Sequence, residues 1–417
     1  MNPKKGKKMA ILKNEPVFQF KDEDYCKPRH IIVEGSYEEI GYDLATIGRS
    51  EYDVKLRAYR DPVYAEAKRD YLERNWPEML AQSKGVLRAF DLAEDDNTFD
   101  PTALTYDLYD EGDGGRVNFG ACTGVVLPSE KTDTGAPFVS RNAEMVKMVL
   151  FSEMFGKKAP AGAHMCFRRD VVVEKRPKGG YRSILHGGHE LLTPFSDSIN
   201  EKGLFVSTFH DPSTYGVEGA PTSGYVWSGL ALVQLMSQLM DQCATVEEAK
   251  RVILRSHLWQ SLFVVHVLIA DAEGNATVFE IDGSSGAYLF NDRIEGEPLF
   301  CTNHPLHTYP TPDTYPDVNM EAEHNTFTRQ VILRNTYQDF AMPLKRSNAT
   351  DLTDSVHVAF QDAEKAESSA TMRTLLNCNA DLSKPEINIR WHLGDVGPVP
   401  GTNHIETRES DFYTFGF

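Results

Sequence analysis

The chain has 417 residues, 41% apolar and 10% aromatic, enough to fill the core of one large domain or of two or three smaller ones. Its 61 acidic against 43 basic residues give a formal charge of −18, which argues against a nucleic-acid or anionic-membrane surface, since both need a clustered positive field. No run approaches the roughly 18 apolar residues of a membrane span. The six cysteines (26, 122, 166, 243, 301, 378) show neither close pairs nor CxxC spacing. A reduced, cytoplasmic protein with a small, non-polyanionic ligand is expected.

In chain order, the lysines at 4, 5, 7 and 8 precede a Met9 to Leu12 run too short for a signal peptide, and residues 1–14 read as a disordered tail. Residues 30–34 read as a strand. Ser36 then caps a helix, with Glu39 at capping-box spacing. From Tyr52 to Leu92 apolar residues recur at helical spacing, broken by Pro62 and Pro77. An acidic, glycine-rich loop at 109–115 suggests a boundary near 115–121. Beyond it the pattern turns to β.

Val125–Leu127 and Pro137–Ser140 flank a polar turn, as do 170–175 and 182–185, and 264–270 and 276–281; each pair reads as a hairpin, and 204–209 as a further strand. Helices are expected at 226–243, from a Thr245 cap, at 321–337 and at 352–360, with a late strand at 387–390. Strands and helices in runs rather than strict alternation indicate an α+β fold.

The most informative residue is Cys122, which follows Gly120 and Ala121 and opens an apolar strand. A strand cysteine is by default a small buried hydrophobe. It is also placed to attack the peptide bond before it, which would leave a chain beginning at Cys122. The freed α-amine, with an ordinary pKa of about 7.7–8.0 against about 8.5 for a thiol, then serves as the base.

The neighbours favour that second reading. Cys122-Thr123 followed by Ser140-Arg141-Asn142, then Asn200 to Leu204, Asp271 to Gly274 leading to Glu280, Thr302-Asn303-His304 and Thr326-Phe327-Thr328-Arg329 resemble, in this order, the penicillin acyltransferase and linear-amide hydrolase group of N-terminal nucleophile (Ntn) hydrolases, relatives of the bile-salt hydrolases and penicillin V acylases. Residues 33–41, and Trp76 to Glu78 leading into Lys84-Gly85, are similar to the propeptide of that group.

The resemblance implies a four-layer αββα sandwich, with an α-rich prosegment over 15–121 and a catalytic domain over 122–417. It implies an αβ heterodimer after the Ala121–Cys122 cut, a linear-amide substrate such as an N-acyl amino acid or a small acylated amine, and no cofactor or metal; higher homo-oligomers stay open. By position, Asn303 matches the oxyanion donor, and Arg141 and Arg329 are the guanidinium candidates beside the thiol. Glu144 stands where the family carries an aspartate that orients the amine. His210 stands where bile-salt hydrolases carry an oxyanion asparagine. Asn142 and Thr326 join it as substrate or oxyanion candidates, and Ala121 replaces the usual glycine before the nucleophile.

Bland roles remain for each: Arg141 in a salt bridge, Asn303 in a turn, Arg329 covering apolar surface, Glu144 paired with a base. The His186-Gly187-Gly188-His189-Glu190 pattern matches neither HExxH nor HxxEH zinc spacing, and its glycines oppose a helix, so it reads as a substrate-pocket loop. Two alternatives stand beside the amidase: an acyl-CoA-dependent N-acyltransferase with the same nucleophile, and an unprocessed, non-catalytic binding protein of the same fold.

Overall fold

The computed structural model describes residues 11–106, 120–147, 165–188, 190–210, 229–259, 265–318, 320, 325–359 and 372–417. The acidic loop at 109–115 lies outside them.

Two large sheets face one another. The first has nine strands in the order β1-β2-β7-β8-β9-β10-β13-β14-β15: Ile11–Pro16, Arg29–Gly35, Val171–Pro177, Ser183–Gly187, Asp197–Asn200, Phe205–His210, Val265–Ala270, Ala276–Ile281 and Tyr288–Asp292. The β2–β7 pair is parallel. The second is ordered β16 (Leu299–Cys301), β5 (Gly120–Leu127), β6 (Phe138–Val146), β17 (Met372–Asp381), β18 (Glu386–Pro398) and β19 (Ile405–Glu409), with β20 (Tyr413–Gly416) on the first half of β18. Two short ribbons, β3 with β4 (Arg57–Ala58, Phe99–Asp100) and β11 with β12 (Leu230–Ala231, Leu258–Trp259), lie outside the large sheets.

Side-chain alternation sorts the core into three slabs. On β7, Val171 and Val173 face helices α1 to α5 (Tyr37–Glu51, Pro62–Asn75, Pro77–Ala89, Leu235–Gln242, Val246–Arg255), while Val172 between them faces the second sheet. On β5, Cys122 and Val126 face the first sheet, while Val125 and Leu127 face α6 (Thr326–Gln338) and α7 (Arg346–Asp354). Helices, sheet, sheet, helices: this is the αββα sandwich.

The local signals explain why the helices begin where they do. Ser36 accepts from the Glu39 N–H while Glu39 answers the Ser36 N–H at 2.9 Å, and prolines open α2 and α3. Helices α1 and α3 pack through Gly41 and Gly85; a Cβ on either would collide with the backbone carbonyl of Gln82 or Glu38.

Several expectations are corrected. Residues 11–14, read as disordered, form most of β1, because β2 offers them a free edge. The apolar run 226–243 is α-helical only over Leu235–Gln242, after a 3₁₀ turn at Leu232–Gln234; Leu230–Ala231 instead pairs in parallel with Leu258–Trp259, and 226–228 lie outside the described residues. The helix placed at 352–360 spans 346–354, and Val358 and Ala359 leave it to join Thr374 and Arg373 of β17. Residues 52–61 hold a short strand rather than a helix. The 321–337 helix starts at Thr326, capped by Asn325.

Candidate active site

Cys122 lies on β5 opposite Ala143 of β6, and Gly124, two residues on, lies opposite Arg141. Arg141 is therefore the diagonal neighbour of Cys122 on the face turned to the first sheet. Its Nη2 sits 3.3 Å from the Cys122 Sγ and donates to the Thr208 carbonyl at 3.2 Å. Nη1 donates to Ser196 Oγ at 3.2 Å and lies 3.6 Å from Asp197 Oδ2. Gly124 permits this approach: a Cβ there would meet the Phe209 ring at 2.5 Å. With the sheets this close, the end of β10 reaches the thiol, and the His210 backbone hydrogen-bonds to it.

The backbone of Cys122 is gripped as firmly as its side chain. Its N–H donates to Asn303 Oδ1 at 2.9 Å, and its carbonyl accepts from Arg329 Nη1 at 2.7 Å. Arg329 also donates to Thr123 Oγ1 at 2.7 Å and to Asn303 Oδ1 at 2.5 Å. Two donors at one end of the Asn303 amide identify that end as oxygen, so its NH2 is the group given to the His210 carbonyl, at 2.5 Å. Asn303 is itself held by Thr326, whose Oγ1 accepts from the N–H groups of Asn303 and His304 at 2.8 and 3.1 Å. Farther along that loop, Glu280 accepts from the N–H groups of Leu306 and His307 at 2.7 and 3.1 Å.

Glu144 is opposite Ala121, on the face turned to α6 and α7. It accepts from Thr123 Oγ1 at 2.9 Å, and its Oε2 finds no partner among the described residues. Burial pushes its carboxyl up against the pull of Arg329 and Thr123. Burial likewise raises the Cys122 thiol, which Arg141 pulls down and Glu144 pushes up further. Raised in this way, Cys122 rests as a thiol. Burial also lowers the Arg329 guanidinium, although Glu144 and Cys122 oppose the change.

Of the residues singled out in the sequence, Cys122, Arg141, His210, Asn303 and Arg329 converge, with Glu144 and Thr326 one contact behind. Arg329 covers no surface; it is 1% exposed. Asn142 is the exception. Alternation turns it to the opposite face, where it donates to the Thr353 carbonyl at 2.8 Å and accepts from Asn377 at 2.7 Å, so it does not reach the thiol.

The 186–190 pattern is not a pocket loop at its first residue. His186 is a fully buried residue of β8, while Glu190 binds the Leu104, Leu192 and Thr193 N–H groups; His189 lies outside the described residues. Ser196, Asp197 and Thr208, which grip Arg141, were not legible as site residues. The available signal was the polar run Ser196-Asp197-Ser198, which opens a strand that proves wholly buried. Among the described residues no group of three or more His, Cys, Asp or Glu side chains is arranged to hold a metal, and no helix is long and apolar enough to cross a membrane.

Residues 168–395, more than half the chain, match the model of the acyl-coenzyme A:6-aminopenicillanic acid acyl-transferase family. None of the curated proteins matches the chain. Among solved structures, it is similar to a single-residue variant of conjugated bile acid hydrolase from Clostridium perfringens (14% identity, 71% of this chain and 97% of that one, TM-score 0.44). It is also similar to penicillin V acylase from Agrobacterium tumefaciens (12%, 65% and 82%, 0.37) and to the Caenorhabditis elegans ortholog of N-acylethanolamine-hydrolyzing acid amidase (12%, 63% and 94%, 0.41). At such scores the layering rests on the molecule's own sheets and cores. With the family model matched over more than half its length, the chain belongs to the acyl-coenzyme A:6-aminopenicillanic acid acyl-transferase family.

Proposed function

We propose that the enzyme is a cysteine Ntn amidohydrolase that cuts its own Ala121–Cys122 bond and then cleaves a linear amide through an acyl group on Cys122. One observation carries the reading: the Cys122 thiol faces Arg141 at 3.3 Å, while its own N–H, the future amine, sits 2.9 Å from Asn303 Oδ1. Cys122 then supplies both nucleophile and base, with Arg141 facing its sulfur and Asn303 holding the future amine.

In the first step the thiol adds to the Ala121 carbonyl. The C–N bond breaks, the nitrogen takes the thiol proton, and water hydrolyses the thioester to an Ala121 carboxylate and a free Cys122 amine. Ala121 pairs with Glu144, so its release opens the unpartnered Glu144 Oε2 to that amine. In each later turnover the amine takes the thiol proton as sulfur attacks the substrate carbonyl. Asn303 Nδ2, which here donates to the His210 carbonyl, and the His210 backbone N–H beside the sulfur are the donors this reading assigns to the forming oxyanion, and such donors are worth about 3–4 kcal/mol each. The leaving amine departs protonated, and water deacylates Cys122.

Residues 15–121 would stay bound as the small subunit. Their β2 pairs along its whole length with β7, helices α1 to α3 share the core of the first sheet, and all six cysteines are free.

Acyl transfer is the second reading, favoured by the family's description: an acyl-CoA thioester acylates Cys122 and an amine takes the acyl group. A panel of N-acyl amino acids, acylated amines and acyl-CoA thioesters, with the acyl-enzyme trapped by acid and located by peptide mass, tests both. The reading expects an adduct on Cys122 and no turnover in Cys122→Ala; turnover that survives Cys122→Ala overturns it. Amine released without added acceptor marks hydrolysis, and acylated product from the thioester marks transfer.

A further inference from the structure

Behind Arg141 lies a run of buried charge that the proposed chemistry does not use. His186 Nε2 is 2.6 Å from Asp170 Oδ2 and His186 Nδ1 is 3.3 Å from Asp197 Oδ2. Trp391 Nε1 donates to the same Asp170 oxygen at 2.5 Å, and Ser196 and Ser207 donate to Asp197 at 3.0 and 2.7 Å. Asp170, His186 and Asp197 are all fully buried. Asp197 in turn faces Arg141 Nη1 at 3.6 Å, and Arg141 Nη2 faces the thiol.

We propose that Asp170, His186 and Asp197 form an ion relay that holds the Arg141 guanidinium against the Cys122 thiol, with His186 as its positioning residue. The inference rests on reading Cys122 as the nucleophile.

The geometry suits a ring protonated on both nitrogens. Ionised carboxylates only accept, so a ring lying between two of them donates from both nitrogens and is an imidazolium. Burial pushes His186 down, but Asp170 and Asp197 outweigh it and bring it up to about 9. Burial likewise pushes Asp197 up, while Arg141 and His186 hold it down at about 2. Two carboxylates against an imidazolium and a guanidinium make the cluster neutral. If His186 lost its proton, a net negative charge would remain behind Arg141, and a thiolate at Cys122 would become costlier.

The groups facing the relay come from separate elements: Asp170 just before β7, Asp197 on β9, Arg141 on β6 and Trp391 on β18, with Cys378, Cys26, Cys166, Arg168, Lys147 and Arg346 within electrostatic reach. A purely structural role would be served as well or better by apolar side chains of the same volume. A relay ending on a thiol has a reason to stay charged.

The test is the rate at which iodoacetamide alkylates Cys122, followed by peptide mass from about pH 5 to about pH 10, in wild type and His186→Gln. The relay expects the midpoint to rise by roughly one unit and the rate at neutral pH to fall about tenfold. A folded variant with the wild-type profile overturns it. Should His186→Gln not fold, nitrogen NMR of wild-type imidazoles decides: His186 protonated on both nitrogens at neutral pH supports the relay, and a neutral ring overturns it. Cleavage before Cys122 is scored separately by intact mass. An uncut wild type counts against the function reading alone, because alkylation reads the thiol in either form.

Discussion

Asn303 and Arg329 meet at 2.5 Å through the oxygen of the asparagine amide, and that same oxygen holds the Cys122 N–H. The contact joins helix α6 to the loop after β16 and leaves the Asn303 NH2 on the side of His210. An asparagine pinned from one end is a preorganised donor at the other.

Replacing Asn303 by Ala removes that donor and leaves Arg329 and the His210 carbonyl each short of a partner. Turnover is expected to fall about 10²–10³-fold. The fall should appear in kcat rather than KM, since the donor acts on charge that develops only as the carbonyl is attacked. Steady-state kinetics on whichever amide the substrate panel identifies provides the check.

Arg141→Lys keeps the charge but not the fork that reaches Cys122, Ser196, Thr208 and Asp197 together. Thiol alkylation at neutral pH should slow, while Arg141→Met should also lower stability by about 3–5 kcal/mol because it leaves the buried Asp170–His186–Asp197 cluster one positive charge short. Denaturant unfolding beside the alkylation rate separates the two effects: equal stability loss in both variants would contradict this account.

Glu280 ties the Asn303 loop to β14, and its behaviour with pH has a definite sign. Burial pushes its carboxyl up, but hydrogen bonds from His266, His307 and the Leu306 N–H outweigh burial and hold it at about 2. Its folded pKa thus lies below the unfolded one, so its contribution to stability is present above the ordinary carboxylate range and is lost as pH falls toward about 2. The stability gap between wild type and Glu280→Gln should be widest near neutral pH and narrow steadily below about pH 4.3. A gap that does not change with pH would show that Glu280 acts through packing alone.

Gly124→Ala places a methyl carbon against the Phe209 ring at 2.5 Å. Overpacking of this kind costs about 1–3 kcal/mol. Because Phe209 precedes His210, the strain should also move the backbone amide beside the thiol. Thermal unfolding should show the loss, and alkylation of Cys122 should slow with it. Unchanged alkylation in a destabilised Gly124→Ala would mean that the sheets yield elsewhere.

What the sequence made legible were features with local causes. Ser36 with Glu39, Pro62, Pro77 and the Asp271 to Asn275 turn each act within a few residues, and each marks an element boundary in the structure. The β17 strand was not found, because its buried positions include Arg373, Thr374, Asn377 and Asn379, whose partners come from distant parts of the chain. Asp197 was missed for the same reason, and His186 was read only as part of a substrate-pocket loop: their charges make sense only once β6, β8 and β9 are brought together in space. Asn142 erred in the opposite direction. It follows Arg141 in the motif, but one residue along a strand is the other face of the sheet.

The central claim is that the Ala121–Cys122 bond is broken to create the catalytic amine. Intact mass under denaturing conditions, on wild type and Cys122→Ala purified side by side, tests it most directly. The account predicts that wild type separates into residues 1–121 and 122–417, the second piece beginning with a free Cys122 amine, while Cys122→Ala stays whole. A whole wild-type chain that nonetheless turns over an amide would contradict it.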